Sequence, residues 1–182
     1  GSDERLINYL WSHRHTTPFE AVTFTFEIHA PIFVFRQWHR HRTWSFNELS
    51  ARYRELPEEF YVPEAKHVAV QSTDNKQGRG EQLPLFQAEA AQEIIQRACK
   101  DAFFAYDELL KLGIARELAR SVLPVSTYSH MFAKTNLRNL LAFLDLRCHS
   151  HAQYEIRVYA EAMRELVKDV VPVCMEAWEA GR

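Results

Sequence analysis

The sequence predicts an α+β fold, mostly helical, with helices packed around a small, largely antiparallel sheet in a single domain spanning 1–182. Three observations carry this expectation. Apolar residues alternate with polar ones from Val22 to Ile28, the period of a half-buried strand. From Ala88 to Leu112 they recur at helical spacing. Finally, a composition of 47% hydrophobic and 25% charged residues is that of a globular chain able to bury a core.

Taken in order, Asp3–Trp11 reads as a short core helix with Ser2 as its cap, acids in the first turn and Leu6, Ile7, Leu10 and Trp11 on one face. After the polar run His13–Thr17 and Pro18, Val22, Phe24, Phe26 and Ile28 oppose Thr23, Thr25 and Glu27 in the clearest strand. Pro31 can open a helix at its first position, and the apolar run Ile32–Trp38, which by periodicity could equally be a strand, is read as that helix. Period two returns from Trp44 to Arg52, so Trp44, Phe46, Glu48, Ser50 and Arg52 are expected on one face of a second strand.

Glu64–Pro84, polar with Gly78 and Gly80 and little periodicity, reads as a long loop. Ala88–Leu112 is a long helix ended by Gly113, and Ala115–Leu123 a short one stopped by Pro124. Leu137–Leu146 is a further helix. Ser150 and Gln153 have capping-box spacing and would start the last helix, running toward Pro172, so that Arg147 and His151 flank a helix junction. The chain contains no internal repeat, low-complexity tract or domain boundary.

Charge and cysteine usage exclude several classes. With a formal net charge of -2 the protein as a whole is not an electrostatic partner for a nucleic-acid backbone, which normally asks for a basic face and a high pI, so any basic patch must be local. The odd, unspaced set Cys99, Cys148 and Cys174 argues against a disulfide framework and a thiolate zinc site, and points to the reducing cytoplasm. No apolar run has the roughly 18 residues of a spanning helix, so no membrane partner is expected. The aromatic payload of 12 Phe, 7 Tyr and 4 Trp is large enough to serve subunit contacts.

Against this nearly neutral background, residues 36–54 hold five arginines, Arg36, Arg40, Arg42, Arg52 and Arg54, and one acid, Glu48. Guanidinium groups match phosphate oxygens in bidentate geometry, so an anionic ligand is expected there, with Glu48 accepting from ribose or base donors. A plain solvated basic surface is the competing account, and the interleaved Trp38, Trp44, Phe46 and Tyr53 weigh against it. The same arginines with aromatic stacking would also suit a non-catalytic nucleotide- or RNA-binding module. Six of the nine histidines form three His-x-His pairs, at 13/15, 39/41 and 149/151, which leaves a metal hydrolase open, although Arg40 and Arg42 would repel a dication at the middle pair. Five glycines with no Gly-x-Gly-x-x-Gly exclude a dinucleotide fingerprint and a Walker loop. No Ser or Cys has the spacing of an activated nucleophile, and Ser50 is expected only to hydrogen-bond.

Arg40-His41-Arg42, then seven residues, then Ser50, resembles the signature of flavin-dependent thymidylate synthases. The likeness extends over nearly the whole chain, through His15-Thr-Thr17-Pro-Phe-Glu, Ala30-Pro-Ile-Phe, Phe35-Arg-Gln37-Trp, Ala51-Arg-Tyr, Glu59-Phe-Tyr-Val-Pro, Arg116-Glu-Leu-Ala-Arg120, Leu123-Pro, Asn136-Leu-Arg138, Leu146-Arg147 and His151-Ala-Gln-Tyr-Glu. The resemblance implies reductive methylation of dUMP to dTMP, with 5,10-methylenetetrahydrofolate as carbon donor, NADPH as reductant and FAD as redox carrier, in a cytoplasmic homotetramer with shared sites and no metal. It implies dUMP contacts at Gln37, Arg40, Glu48, Ser50, Arg52, Arg120 and Arg147, with Arg147 the catalytic residue that activates the pyrimidine. It implies FAD contacts at Thr17, Arg40, His41, Arg42, Glu48, Asn136, Arg138 and His151. The resembled family carries a further strand-bearing segment ahead of the region equivalent to Asp3, so that N-terminal segment is expected to be missing here. Ala142 stands where the family often places Asn or His beside the flavin.

Overall fold

A computed structural model of the chain describes residues 1–181. The α+β expectation holds: helices dominate, with a three-stranded sheet and a two-stranded one. The three-stranded sheet has the order β1 (Thr23–Pro31), β5 (Tyr128–Asn136), β2 (Ser45–Glu48). Backbone bonds from Leu137 N to the Val22 carbonyl and from Ile32 N to the Thr127 carbonyl bracket β1 and β5 at opposite ends, as in an antiparallel pair. The fold divides into two compact units, one made of Gly1–Phe26, Gln37–Phe46 and the chain from Phe132 onward, the other of Glu27–Arg36 and Asn47–Met131.

The first unit is centred on α5 (Leu137–Arg147). Leu137, Leu140, Leu141 and Leu144 recur at three- and four-residue steps and are fully buried, so the helix forms by presenting one apolar face to the core. Its N-terminus is capped by Asn136, whose side-chain oxygen accepts from Asn139 N at 2.9 Å. Trp38, the last residue of α2 (Ile32–Trp38), stacks on Phe143 at 5.0 Å, and Trp44 meets the same ring at 5.0 Å. Each such buried ring contributes on the order of 2–3 kcal/mol. α6 (Tyr154–Lys168) buries Ile156, Ala160, Met163 and Val167 and packs on α5. α7 (Pro172–Ala180), opened by Pro172 at its first turn, packs on α6 and α1 (Ser2–Ser12).

The second unit is built on α3 (Leu85–Lys111), which buries Ala88, Cys99, Phe103 and Tyr106 and packs against α4 (Arg116–Ala119). Phe103, Tyr106 and Ala119 form its core with Phe60, Leu109, Leu110 and Leu123 around them. Gly113, just past the helix, has φ of +77°, a left-handed conformation that stops α3 where a side chain would be strained.

Several sequence expectations are corrected. Ser2 lies inside α1 rather than capping it, and α1 has no fully buried residue, Leu6 being 55% exposed: it is a peripheral helix, not core. The strand expected over Trp44–Arg52 stops at Glu48, because Tyr53 N and Arg54 N both bond the Ser50 carbonyl and fold 50–54 into a turn. Ser50 and Arg52 therefore do not continue a strand face. Glu64–Pro84 is not a structureless loop. It holds a short 3-10 turn, Ala65–His67, and an antiparallel hairpin of β3 (Ala69–Gln71) and β4 (Arg79–Gln82). Ser150 caps nothing, Gln153 occupies the cap position of α6, and α7 follows beyond the helix expected to be last. Strand β5 is not legible in the sequence because, Met131 aside, its buried positions Ser129, Ala133 and Thr135 are small or polar, whereas the large Phe132 is half-exposed.

Candidate active site

In the first unit the chain leaves α2 and turns tightly, with His41 N bonded to the Trp38 carbonyl at 2.8 Å. This turn carries Arg40, His41 and Arg42, and it alternates their directions. Arg40 and Arg42 are exposed and meet no carboxylate among the described residues. His41 turns inward, its ring edge-on to Phe143 at 4.8 Å. Arg147, the last residue of α5, reaches the same place: its Nε donates to His41 Nε2 at 3.0 Å and its Nη2 to the Gln37 carbonyl at 3.4 Å.

Burial first, and then the Arg147 charge beside it, lower the His41 pKa to about 4. The imidazole is therefore neutral near pH 7, consistent with an Nε2 that accepts a hydrogen bond. Burial also lowers the pKa of Arg147, which stays a cation at neutral pH. The positive charge of the Arg-His-Arg motif thus resides in its two arginines. The Gln37 side chain donates to Gln153 Oε1, and Gln153 Nε2 donates to Glu155 Oε2 at 2.9 Å, a link that ends on a carboxylate only 3% exposed. The link from Gln37 to Gln153 and Glu155 is not legible in the sequence, since nothing in their local pattern marks them as partners of Gln37.

The other residues of the first unit surround α5. Thr17 opens the 3-10 turn Thr17–Ala21 that packs on this helix. Arg138 pairs with Glu20 of that turn at 2.8 Å, both half-exposed. The capping bond uses the Asn136 carbonyl oxygen and leaves its amide N–H donors. His151 is exposed after α5, its ring 4.7 Å from that of His149. A cleft of about 700 Å³ is lined by Trp11, Arg14, Thr16, Arg138, His149 and Trp178, with others. Arg14 adopts φ of +59° there, an unusual left-handed conformation for a non-glycine residue that the sequence does not announce.

In the second unit Glu48, half-buried, ends β2. Ser50 Oγ accepts from Arg52 N at 3.3 Å, so the hydroxyl helps shape its own turn, and among the described residues no base is bonded to it. Arg52 pairs with Glu117 at 3.2 Å, with both side chains over half exposed. Arg120, also exposed, begins the 3-10 turn Arg120–Val122 one turn beyond Glu117.

The middle His-x-His pair lies on a turn rather than a strand, with His39 against Phe46 and His41 against Phe143, so its rings do not share a face. Among the described residues no group of three or more His, Cys, Asp or Glu is placed to hold a metal ion. No described helix is long and apolar enough to cross a membrane.

A flavin-dependent thymidylate synthase of Ehrlichia ruminantium (strain Gardel) is 49% identical over 176 residues, covering 97% of this chain and 59% of that protein. One from Wolbachia pipientis wMel is 48% identical over 179 residues, covering 97% and 62%. The chain thus spans less than two thirds of the length of these relatives. Crystal structures of a UMP/dUMP methylase, PolB from Streptomyces cacaoi, bound with 5-Br UMP and with 5-Br dUMP, superpose with TM-scores of 0.94 and 0.90 at 45% and 44% identity. They cover 99% of this chain and 83% and 80% of those chains. The family model described as thymidylate synthase complementing protein matches residues 1–173, and with near-half identity along almost its full length the chain belongs to that family.

Proposed function

We propose that the chain is a flavin-dependent thymidylate synthase subunit that methylates dUMP to dTMP, with 5,10-methylenetetrahydrofolate as carbon donor and NADPH as reductant. The observation that carries this reading is Arg147: a half-buried cation, held on one edge by His41 and Gln37, whose remaining N–H donors are left for a ligand. A guanidinium beside N3 and a carbonyl of uracil stabilises the pyrimidine anion and raises electron density at C5, with no enzyme nucleophile required. Ser50 then positions the nucleotide and does not attack it, and Gln37, Arg40, Glu48, Arg52 and Arg120 supply its other contacts.

The residues present suit FAD. Arg40 and Arg42 are exposed cations that meet no carboxylate among the described residues, as phosphate ligation asks. Arg138 is held by an exposed ion pair worth at most about 1 kcal/mol, so an anionic ligand displaces Glu20 at little cost. Thr17, Glu48, the Asn136 amide and His151 complete the set. When bound, FAD carries the reducing equivalents of NADPH. The protein acts in the cytoplasm as a homotetramer that shares sites between subunits, and 1–182 forms a single domain of it.

The test is the visible spectrum of the purified protein together with dTMP formation when dUMP, folate, NADPH and FAD are all supplied. Flavin absorbance and dTMP dependent on every component are expected; a protein that FAD cannot reconstitute and that makes no dTMP would sink the reading. Because similar solved structures are of a UMP/dUMP methylase, UMP as substrate is a second reading. Methylation of UMP at a rate comparable to that of dUMP would establish it.

A further inference from the structure

We propose that His41 is a positioning residue for Arg147, accepting from its Nε so that the opposite edge of the guanidinium faces the substrate. The inference rests on the role proposed for Arg147 above. It is carried by geometry. The N–H of Nε and one N–H of Nη2 lie side by side on one edge of the planar guanidinium, and these two donors are the ones taken, by His41 Nε2 at 3.0 Å and by the Gln37 carbonyl at 3.4 Å. The edge left over carries N–H groups of both terminal nitrogens, the pair that binds two adjacent acceptors in a bidentate manner.

Both acceptors come from one short stretch of chain that is itself fixed. The backbone of His41 is bonded to Trp38, its ring lies edge-on to Phe143, and the Gln37 side chain is tied through Gln153 to the buried Glu155. The arrangement also demands a particular form of the histidine. An imidazolium would set an N–H against the N–H of a cation, whereas a neutral ring with its proton on Nδ1 presents a lone pair at Nε2. The half-buried pocket and the Arg147 charge both favour that neutral form. Within one motif, the outward arginines are then suited to phosphates and the inward histidine to aligning a second-site cation.

The test uses His41→Leu and His41→Gln in the full protein; the glutamine side chain can place a carbonyl oxygen near the Nε2 position. His41→Leu should retain flavin while turnover per bound flavin falls on the order of ten- to a hundredfold, the loss expected for one hydrogen bond to a charged group. Most of this loss should appear in kcat rather than in KM for dUMP, and His41→Gln should recover most of it. Equal defects in the two variants, or flavin loss with unchanged turnover per bound flavin, would overturn the proposal. A readout free of activity is the nitrogen-15 spectrum of labelled histidine at neutral pH. It should show His41 unprotonated at Nε2, with a signal that shifts in Arg147→Lys; a protonated Nε2 overturns the proposal. If wild-type protein makes no dTMP, the functional reading fails, and the spectrum still decides whether His41 holds Arg147.

Discussion

Two arginines proposed to meet the same nucleotide, Arg147 in the first unit and Arg52 in the second, are held in opposite ways. Arg147 is half-buried, and its two observed partners are neutral: an imidazole and a backbone carbonyl. Arg52 is 55% exposed and leans on a carboxylate, Glu117, that is itself 53% exposed. A neutral partner orients a cation without cancelling its charge, and partial burial strengthens that charge's effect on a ligand. An exposed ion pair does neither, since water and salt screen it. On the proposed roles, the contrast separates a cation prepared for catalysis from one that supplies attraction and can be exchanged.

The comparison can be broken at its base by removing the packing that buries the first region. Phe143 is fully buried against Trp38, Trp44 and His41, and Phe143→Ala should cost about 3–5 kcal/mol in chemical denaturation and return the His41 pKa toward its ordinary 6.5. Next in size, Arg147→Ala should lower turnover on the order of a hundred- to a thousandfold with little change in flavin content, checked by single-turnover assay and absorbance. Arg42→Ala should do the reverse, weakening FAD about tenfold by titration while turnover of the saturated enzyme changes little. Equal effects of the two on both readouts would contradict the division of roles.

A smaller effect follows from the pKa of His41, about 4 when folded and 6.5 ordinarily. Between these values the unfolded chain binds a proton that the folded chain refuses, so the His41 contribution makes stability rise with pH from about 4 to 6.5 and level off above. Thermal melts across this window should show that slope, and His41→Gln should flatten it. Least of all, Arg52→Ala should change stability by less than about 1 kcal/mol, while raising the KM for dUMP severalfold if Arg52 contacts the nucleotide.

Much of the fold was legible where a single period dominates. The leucines of α5 are legible because one face of that helix is apolar and the local pattern agrees with the burial, whereas Ile32–Trp38 is equally open to a strand by periodicity and is a helix as its opening Pro31 suggests. Where burial and residue type disagree, the reading failed. Beside Met131, β5 hides small and polar side chains and exposes Phe132, so its alternation is visible only once the neighbouring strands are in place. The Trp44–Arg52 alternation persists in sequence past Glu48, but backbone bonds to Ser50 end the strand.

The candidate site divides along the same line. By itself the sequence determined that positive charge gathers in residues 36–54 of a nearly neutral chain and, through the Arg-His-Arg signature and its companion blocks, that the chain resembles one family. Residue types and spacings are properties of the chain read in order, and charge is conserved however the chain folds. Only the tertiary structure decided that His41 is a neutral acceptor rather than a third cation, and that its partner is Arg147, 106 residues away. Protonation and hydrogen-bond direction depend on burial and on the nearest charge, which exist only after α2, the following turn and α5 have packed together.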